Sequence, residues 1–114
     1  MKSNDLAWLA GLLEGEGSFM TIKSHVRGKI YLYPKIVVTM TDLDVIQRAA
    51  TLIGNAVYNV PLQKNGVSKL NQYRAQVSGA KAAELMKELL PYMGRRRADK
   101  IREILRDYEK STGE

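Results

Sequence analysis

The sequence predicts an α+β fold in the order αββαββα with a further C-terminal helix: one four-stranded antiparallel sheet with helices on one face. Three observations predict it. Helical apolar spacing recurs in four separate stretches, alternating apolar and polar residues fill the two gaps between the first three of them, and a ββα unit is repeated after the opening helix. At 114 residues the chain is about one domain's worth, and residues 1–114 are read as a single unit. Apolar residues at 45% and charged residues at 26% exclude the disordered and low-complexity classes.

The opening helix spans residues 5–15, with Leu6, Trp8, Leu9, Leu12 and Leu13 supplying its bulk. Residues 18–41 carry two strands. In the second, Leu32, Ile36, Val38 and Met40 alternate with Tyr31, Tyr33, Lys35 and Thr39, so one parity faces the helices and the other presents aromatic and basic groups. In the first, Met20, Ile22 and Val26 are assigned inward and Thr21, Lys23, His25 and Arg27 outward, with Phe19 breaking that alternation. The second helix occupies 42–53. Thr41 opens it, Asp44 completes a capping-box pattern, Val45, Ala49, Leu52 and Ile53 form the apolar stripe, and Gly54 is the stop. Strands over 56–62 and 68–77 flank Asn65-Gly66, a strong hairpin signal, with Tyr73, Ala75 and Val77 inward and Gln72, Arg74 and Gln76 outward. A third helix over 79–90 turns Ala82, Leu85, Met86 and Leu89 inward and is broken by Pro91. The last, over 95–109, buries Ile101, Ile104, Leu105 and Tyr108.

Composition removes several chemistries. The chain has no cysteine and only His25, which excludes disulfide scaffolds, thiolate or histidine zinc sites, cysteine nucleophiles and a serine triad. The longest apolar run, residues 6–13, falls far short of the ~20 needed to span a bilayer. The carboxylates that follow it argue against a signal peptide. The expectation is an intracellular protein, in cytoplasm or nucleoid or in an organelle if encoded there, not secreted, with no membrane partner and no organic cofactor.

The net charge of +6 is concentrated on the strands. Residues 18–41 and 55–77 hold Lys23, Arg27, Lys29, Lys35, Lys64, Lys69 and Arg74 and neither Asp nor Glu. A wet sheet face is normally polar, and edge lysines discourage aggregation, but neither fact accounts for the lack of acids. A polyanion does. A ten-residue strand is about 33 Å long, a length suited to a nucleic-acid groove. The candidate contacts are Thr21, Lys23, His25, Arg27, Tyr31, Tyr33, Lys35, Arg74 and Gln76.

Ala7, Gly11 and Gly15 lie at i, i+4 and i+8, a stripe bare of side chains. Each interior glycine costs a helix about 1 kcal/mol relative to alanine, so something must approach the backbone. A second copy of the helix would give a two-fold dimer; a neighbouring strand, or a helix end at Gly15, is the alternative. The candidate interface is Ala7, Gly11, Glu14 and Gly15. Glu14 and Glu16 stand at the helix C-terminus, opposed to its partial negative charge. Near a two-fold axis they would face their mates, and a divalent cation would relieve the repulsion; oxygen-only ligands suit Mg²⁺ or Ca²⁺.

Residues 9–17, LAGLLEGEG, resemble the signature of the LAGLIDADG homing endonucleases, with every difference conservative, and the predicted element order matches that fold, whose sheet is a DNA-binding saddle. Residues 90–97, LPYMGRRR, are similar to the family's later Leu-Pro-aromatic segment and its following basic residue. A single motif implies a homodimer. By position, the resemblance implies that Glu16 and the Gly15 carbonyl bind the catalytic metal, Mg²⁺ with Ca²⁺ or Mn²⁺ as substitutes, and gives Glu14 a less direct role. It also implies that Arg96 serves the scissile phosphate, with Arg95 and Arg97 one register step away. Two residues depart from the pattern. Glu16 is one methylene longer than the usual aspartate, and Met40 stands where members often place a glutamine. The implied function is metal-dependent hydrolysis of double-stranded DNA at a palindromic or near-palindromic site, leaving a staggered break. The alternative is a non-cleaving nucleic-acid-binding protein on the same scaffold, a transcriptional regulator or an intron maturase.

Overall fold

The computed structural model describes residues 1–61 and 70–112. Helix α1 (Ser3–Glu16) runs without a loop into β1 (Gly17–Val26), followed by β2 (Lys29–Met40), α2 (Leu43–Ile53), β3 (Tyr58–Val60), β4 (Gln72–Ser78), α3 (Ala80–Leu89), a 3₁₀ turn (Leu90–Tyr92) and α4 (Arg95–Thr112). The strands form one antiparallel sheet in the order β1-β2-β4-β3. This is the predicted α+β architecture. Its element ends shift: β3 is three residues long rather than the expected 56–62, and the Asn65-Gly66 hairpin signal lies outside the described residues.

A two-residue turn, Arg27-Gly28, joins β1 to β2, with both residues at positive φ (51° and 79°) as such a hairpin requires. The arginine is thereby carried to the hairpin tip. In α2 the cap position falls to Asp42 rather than Thr41, and no side chain caps the helix, so the Thr41–Asp44 capping box is not made. Gly54 ends that helix as expected, in the left-handed conformation.

One apolar cluster holds the helices to the sheet. Leu9 and Leu13 of α1, Ile46 of α2, Met86 and Leu89 of α3, and Ile101 and Ile104 of α4 pack on Ile36, Val38, Ala75 and Val77. The inward stripe foreseen for α3 is buried as predicted, whereas α2 buries Ile46 and Ala50 beside Ala49 and leaves Val45, Leu52 and Ile53 half-buried. Arg48 ties α2 to α1, its guanidinium 4.1 Å from the Trp8 ring centre and 3.6 Å from the Asp5 carboxylate.

The strand register overturns one parity assignment. Residues directly opposite in an antiparallel pair share a face. Phe19, Thr21, Lys23 and His25 oppose Ile36, Pro34, Leu32 and Ile30, which lie on the helix side. Thr21, Lys23 and His25 therefore do not point to the open face. Met20, Ile22, Ser24 and Val26 do, opposite Lys35, Tyr33, Tyr31 and Lys29. The buried ring of Phe19 sets the phase of the strand, against the apolar character of Met20 and Ile22.

At the α1–β1 junction a side chain on Gly17 would have no room. A Cβ there would sit 2.7 Å from Leu13 Cδ2 and 2.9 Å from the Leu13 backbone. Gly17→Ala is expected to cost about 2–3 kcal/mol through this overpacking, read as a lower urea midpoint; an unchanged midpoint would show that the junction can relax.

Candidate active site and nucleic-acid interface

The open face of the sheet is built from alternate residues of four strands. Across it run the rows Ser18–Val37–Gln76, Met20–Lys35–Ser78 and Ile22–Tyr33, and at the α1 end Thr39–Arg74–Tyr58. Tyr31, Tyr33, Lys35, Arg74 and Gln76 all take the open side, as the sequence leads one to expect. The register also brings in Thr39, placed outward by the alternation of β2 but not counted among the contacts, and Tyr58, which sequence reasoning missed. Arg74 Nε donates to Thr39 Oγ1 at 3.2 Å, fixing the guanidinium on the face. Among the residues this face presents, from Ser18 on β1 to Tyr58 on β3, none is acidic.

A polar recess of about 130 Å³ opens between Lys35, Asn55, Tyr58 and Gln76. Asn55 Nδ2 donates to the Gln76 carbonyl oxygen at 2.6 Å, and Gln76 Oε1 is buried without a partner. A base-edge amino group or a water can satisfy that acceptor.

Glu16 ends α1, and its side chain is exposed. The next residue, Gly17, begins β1 and pairs with Val38, so Glu16 stands at the end of the sheet that carries the Thr39–Arg74–Tyr58 row. Gly15 belongs to the last helical turn, whose carbonyls have no onward helical partners. Glu14 has a different environment. Its Oε1 accepts from the Gly94 backbone N–H, its carbonyl oxygen accepts from Arg97 Nε at 2.7 Å, and Arg97 also lies 3.2 Å from Oε2. Arg97 Nη1 donates to the Gly17 carbonyl oxygen at 2.7 Å. One guanidinium thus serves the C-terminal end of α1, and the conflict between the Glu14 carboxylate and the helix dipole is relieved within the chain, while Glu16 keeps its charge unpaired among the described residues.

The three arginines consequently differ. Arg97 is turned inward onto α1, while Arg95 and Arg96 are exposed. Arg96 lines a cleft of about 470 Å³ shared with Gly17, Ser18, Phe19, Lys100 and Glu103, which brings it to the end of the motif helix. Met40 lies opposite Tyr73 on the helix side and packs against the core.

Among the described residues, nothing covers the outer side of α1. Residues 6–13 contain no charged side chain, yet Ala7 and Gly11 are exposed, as is Gly15, and among the described residues no atom beyond the adjacent backbone of the helix comes within 4 Å of where a Cβ on Gly11 or Gly15 would be. No strand of the same chain packs on Gly11 among the described residues.

Among the described residues no group of three or more His, Asp or Glu side chains could hold a metal. What the chain offers is an open, oxygen-only set, the Glu16 carboxylate and the Gly15 carbonyl. That set fits Mg²⁺, which commonly takes one or two carboxylates and completes its shell with water and substrate phosphates. No helix among the described residues is long and apolar enough to cross a membrane.

No protein-family model matches the sequence, and no curated protein matches it. Solved structures do. The homing endonuclease I-CvuI, crystallised with the I-CreI target and Mg and with its DNA not cleaved, superposes with a TM-score of 0.71 at 16% identity, over 98% of this chain and 72% of that one. An archaeal intron-encoded homing endonuclease complexed with DNA gives 0.60 at 14% identity, over 100% and 87%. The LAGLIDADG homing endonuclease I-GzeII, complexed with its DNA target, gives 0.62 at 12% identity, over 89% and 35%. These superpositions show that this chain has the fold of the LAGLIDADG homing endonucleases.

Proposed function

We propose that this chain is a site-specific DNA endonuclease that works as a homodimer and depends on a divalent metal. The single observation that carries the reading is the position of Glu16. It is a free carboxylate at the tip of a helix whose outer face is apolar and uncovered, at one end of a basic, acid-free sheet.

Each open sheet face would lie in the major groove of one half-site. Tyr31, Tyr33, Arg74 and Gln76 would reach base edges, and Arg27, Lys29 and Lys35 would meet phosphates. Lys23 and His25, exposed on the other side, would add only general attraction. The α1 helices of two copies would meet along Ala7, Gly11 and Gly15, with Glu14 contributing the edge that its internal contacts leave exposed. This brings the two Glu16 carboxylates together over the centre of the target.

Glu16 and the Gly15 carbonyl would hold Mg²⁺, for which Ca²⁺ or Mn²⁺ can substitute. Bound there, the ion supplies Lewis acidity for hydrolysis of a phosphodiester. Arg96, exposed beside the motif helix, would balance charge on the attacked phosphate. Dimer symmetry calls for a palindromic or near-palindromic site. Such work places the protein in a cell's DNA-containing compartments, as intron homing would require.

The test is incubation with a randomised duplex library and Mg²⁺. Recovered cut ends at a common sequence are the expected outcome. Retention of duplex without cut ends would leave the non-cleaving regulator or maturase reading in its place. The dimer has its own measurement: Gly11→Leu should halve the sedimentation mass of the DNA-free protein, and an unaltered mass would move the interface elsewhere.

A further inference from the structure

The corrected phase of β1 has a chemical consequence for recognition. The side chains it sends to the open face are Ser18, Met20, Ile22, Ser24 and Val26. Three of the five cannot form a hydrogen bond with a base edge. Met20 and Ile22 are half-buried against Lys35 and Tyr33, and Val26, at 48% exposure, is open to solvent. A solvated strand at the edge of a sheet ordinarily carries polar groups here.

The surroundings of these side chains identify what covers them. Lys29 and Lys35 flank the apolar row, Arg74 lies further across the same face, and among the described strand residues of that face none is acidic. An occupant must therefore offer dense negative charge and, between the charges, small apolar groups. The major groove of DNA offers one: the C5-methyl of thymine.

We propose that β1 reads thymine methyl groups, so that the half-site bound by this chain is thymine-rich along the stretch β1 follows. This inference rests on the DNA-binding reading above and names the class of target. Successive outward residues on a strand are about 6.8 Å apart, close to two base pairs at about 3.4 Å each. Met20 and Ile22 would then meet thymines about two base pairs apart, and Val26 a third about four base pairs beyond. Ser24, between them, fits any base.

The experiment has two stages. The unaltered protein first selects duplexes from a randomised library in metal-free buffer. The strongest selected duplex is then remade with deoxyuridine in place of thymidine, position by position, which deletes only the methyl. Thymines enriched at the stated spacing, and a loss of affinity of about four-fold for each one replaced within the β1 stretch, are the expected results. Ile22→Gln should exchange one selected thymine for adenine and make affinity indifferent to deoxyuridine at that position. Met20→Gln does the same one step along, should the first variant fold poorly, and the deoxyuridine series needs no variant at all. Selected duplexes that bind equally well with deoxyuridine would overturn the thymine inference alone. Retention of no duplex would overturn the DNA-binding reading and the thymine inference with it.

Discussion

Glu16→Gln should abolish strand cutting, by about a thousand-fold or more, while leaving DNA binding intact. The substitution keeps the size of the side chain and removes only its charge. Because Glu16 is exposed and makes no bond that α1 needs, the thermal midpoint should not move. Losing an anionic oxygen ligand removes several kcal/mol of stabilisation from a metal-assisted transition state, and each 1.36 kcal/mol is a factor of about ten. The measurement is single-turnover cleavage of a selected duplex, with filter binding alongside it. In metal-free buffer the variant should bind DNA at least as tightly as the parent, since an uncompensated carboxylate beside phosphates is repulsive. Cutting at the parental rate would place the chemistry at other residues.

Arg97→Ala should lower stability by about 2–4 kcal/mol and the melting temperature by about ten degrees or more, far beyond what its neighbours do. Its side chain is only 16% exposed and serves two backbone carbonyls, the Glu14 carboxylate and, at 5.9 Å, the Phe19 ring. Removing it leaves two carbonyls unserved and the Glu14 charge facing the end of a helix dipole. Lysine should not rescue, because a point charge cannot bond two carbonyls as a guanidinium fork does. Arg95→Ala and Arg96→Ala, on exposed side chains, should shift stability by about 0.5 kcal/mol at most. Arg96→Ala should instead slow cutting. Equal stability losses across the three would refute this division of labour, and calorimetry of the three variants decides it.

Much of the architecture was legible because periodicity and punctuation agreed. The α3 stripe of Ala82, Leu85, Met86 and Leu89, the stop at Gly54 and the alternation in β2 each follow from local chemistry that tertiary packing only reinforces. The phase of β1 was not legible from alternation alone, since both parities contain apolar residues. Phe19 carried the decisive signal: the largest apolar side chain of the strand, two residues from a glycine at the helix end, belongs with the core. The arginine triplet was ambiguous for another reason. Consecutive helical residues point about 100° apart, so three identical neighbours face three directions. Arg97 lies four residues before the buried Ile101, on the inward stripe, and that spacing could have singled it out. What no local pattern could give is the pairing of Glu14 with Gly94 and Arg97, eighty residues away in sequence.

The junction between α1 and β1 contains no spacer: Glu16 is the last residue of one and Gly17 the first of the other, with Leu13 packed hard against it. On the nuclease reading, the blade and the ruler are forged as one piece. A strand seated a single base pair out of step would drag the carboxylate about 3.4 Å along the duplex, where displacement by 1 Å is already able to cost about a hundred-fold in rate. Fidelity would then need no separate checkpoint, because a poorly measured sequence would find the blade in the wrong place.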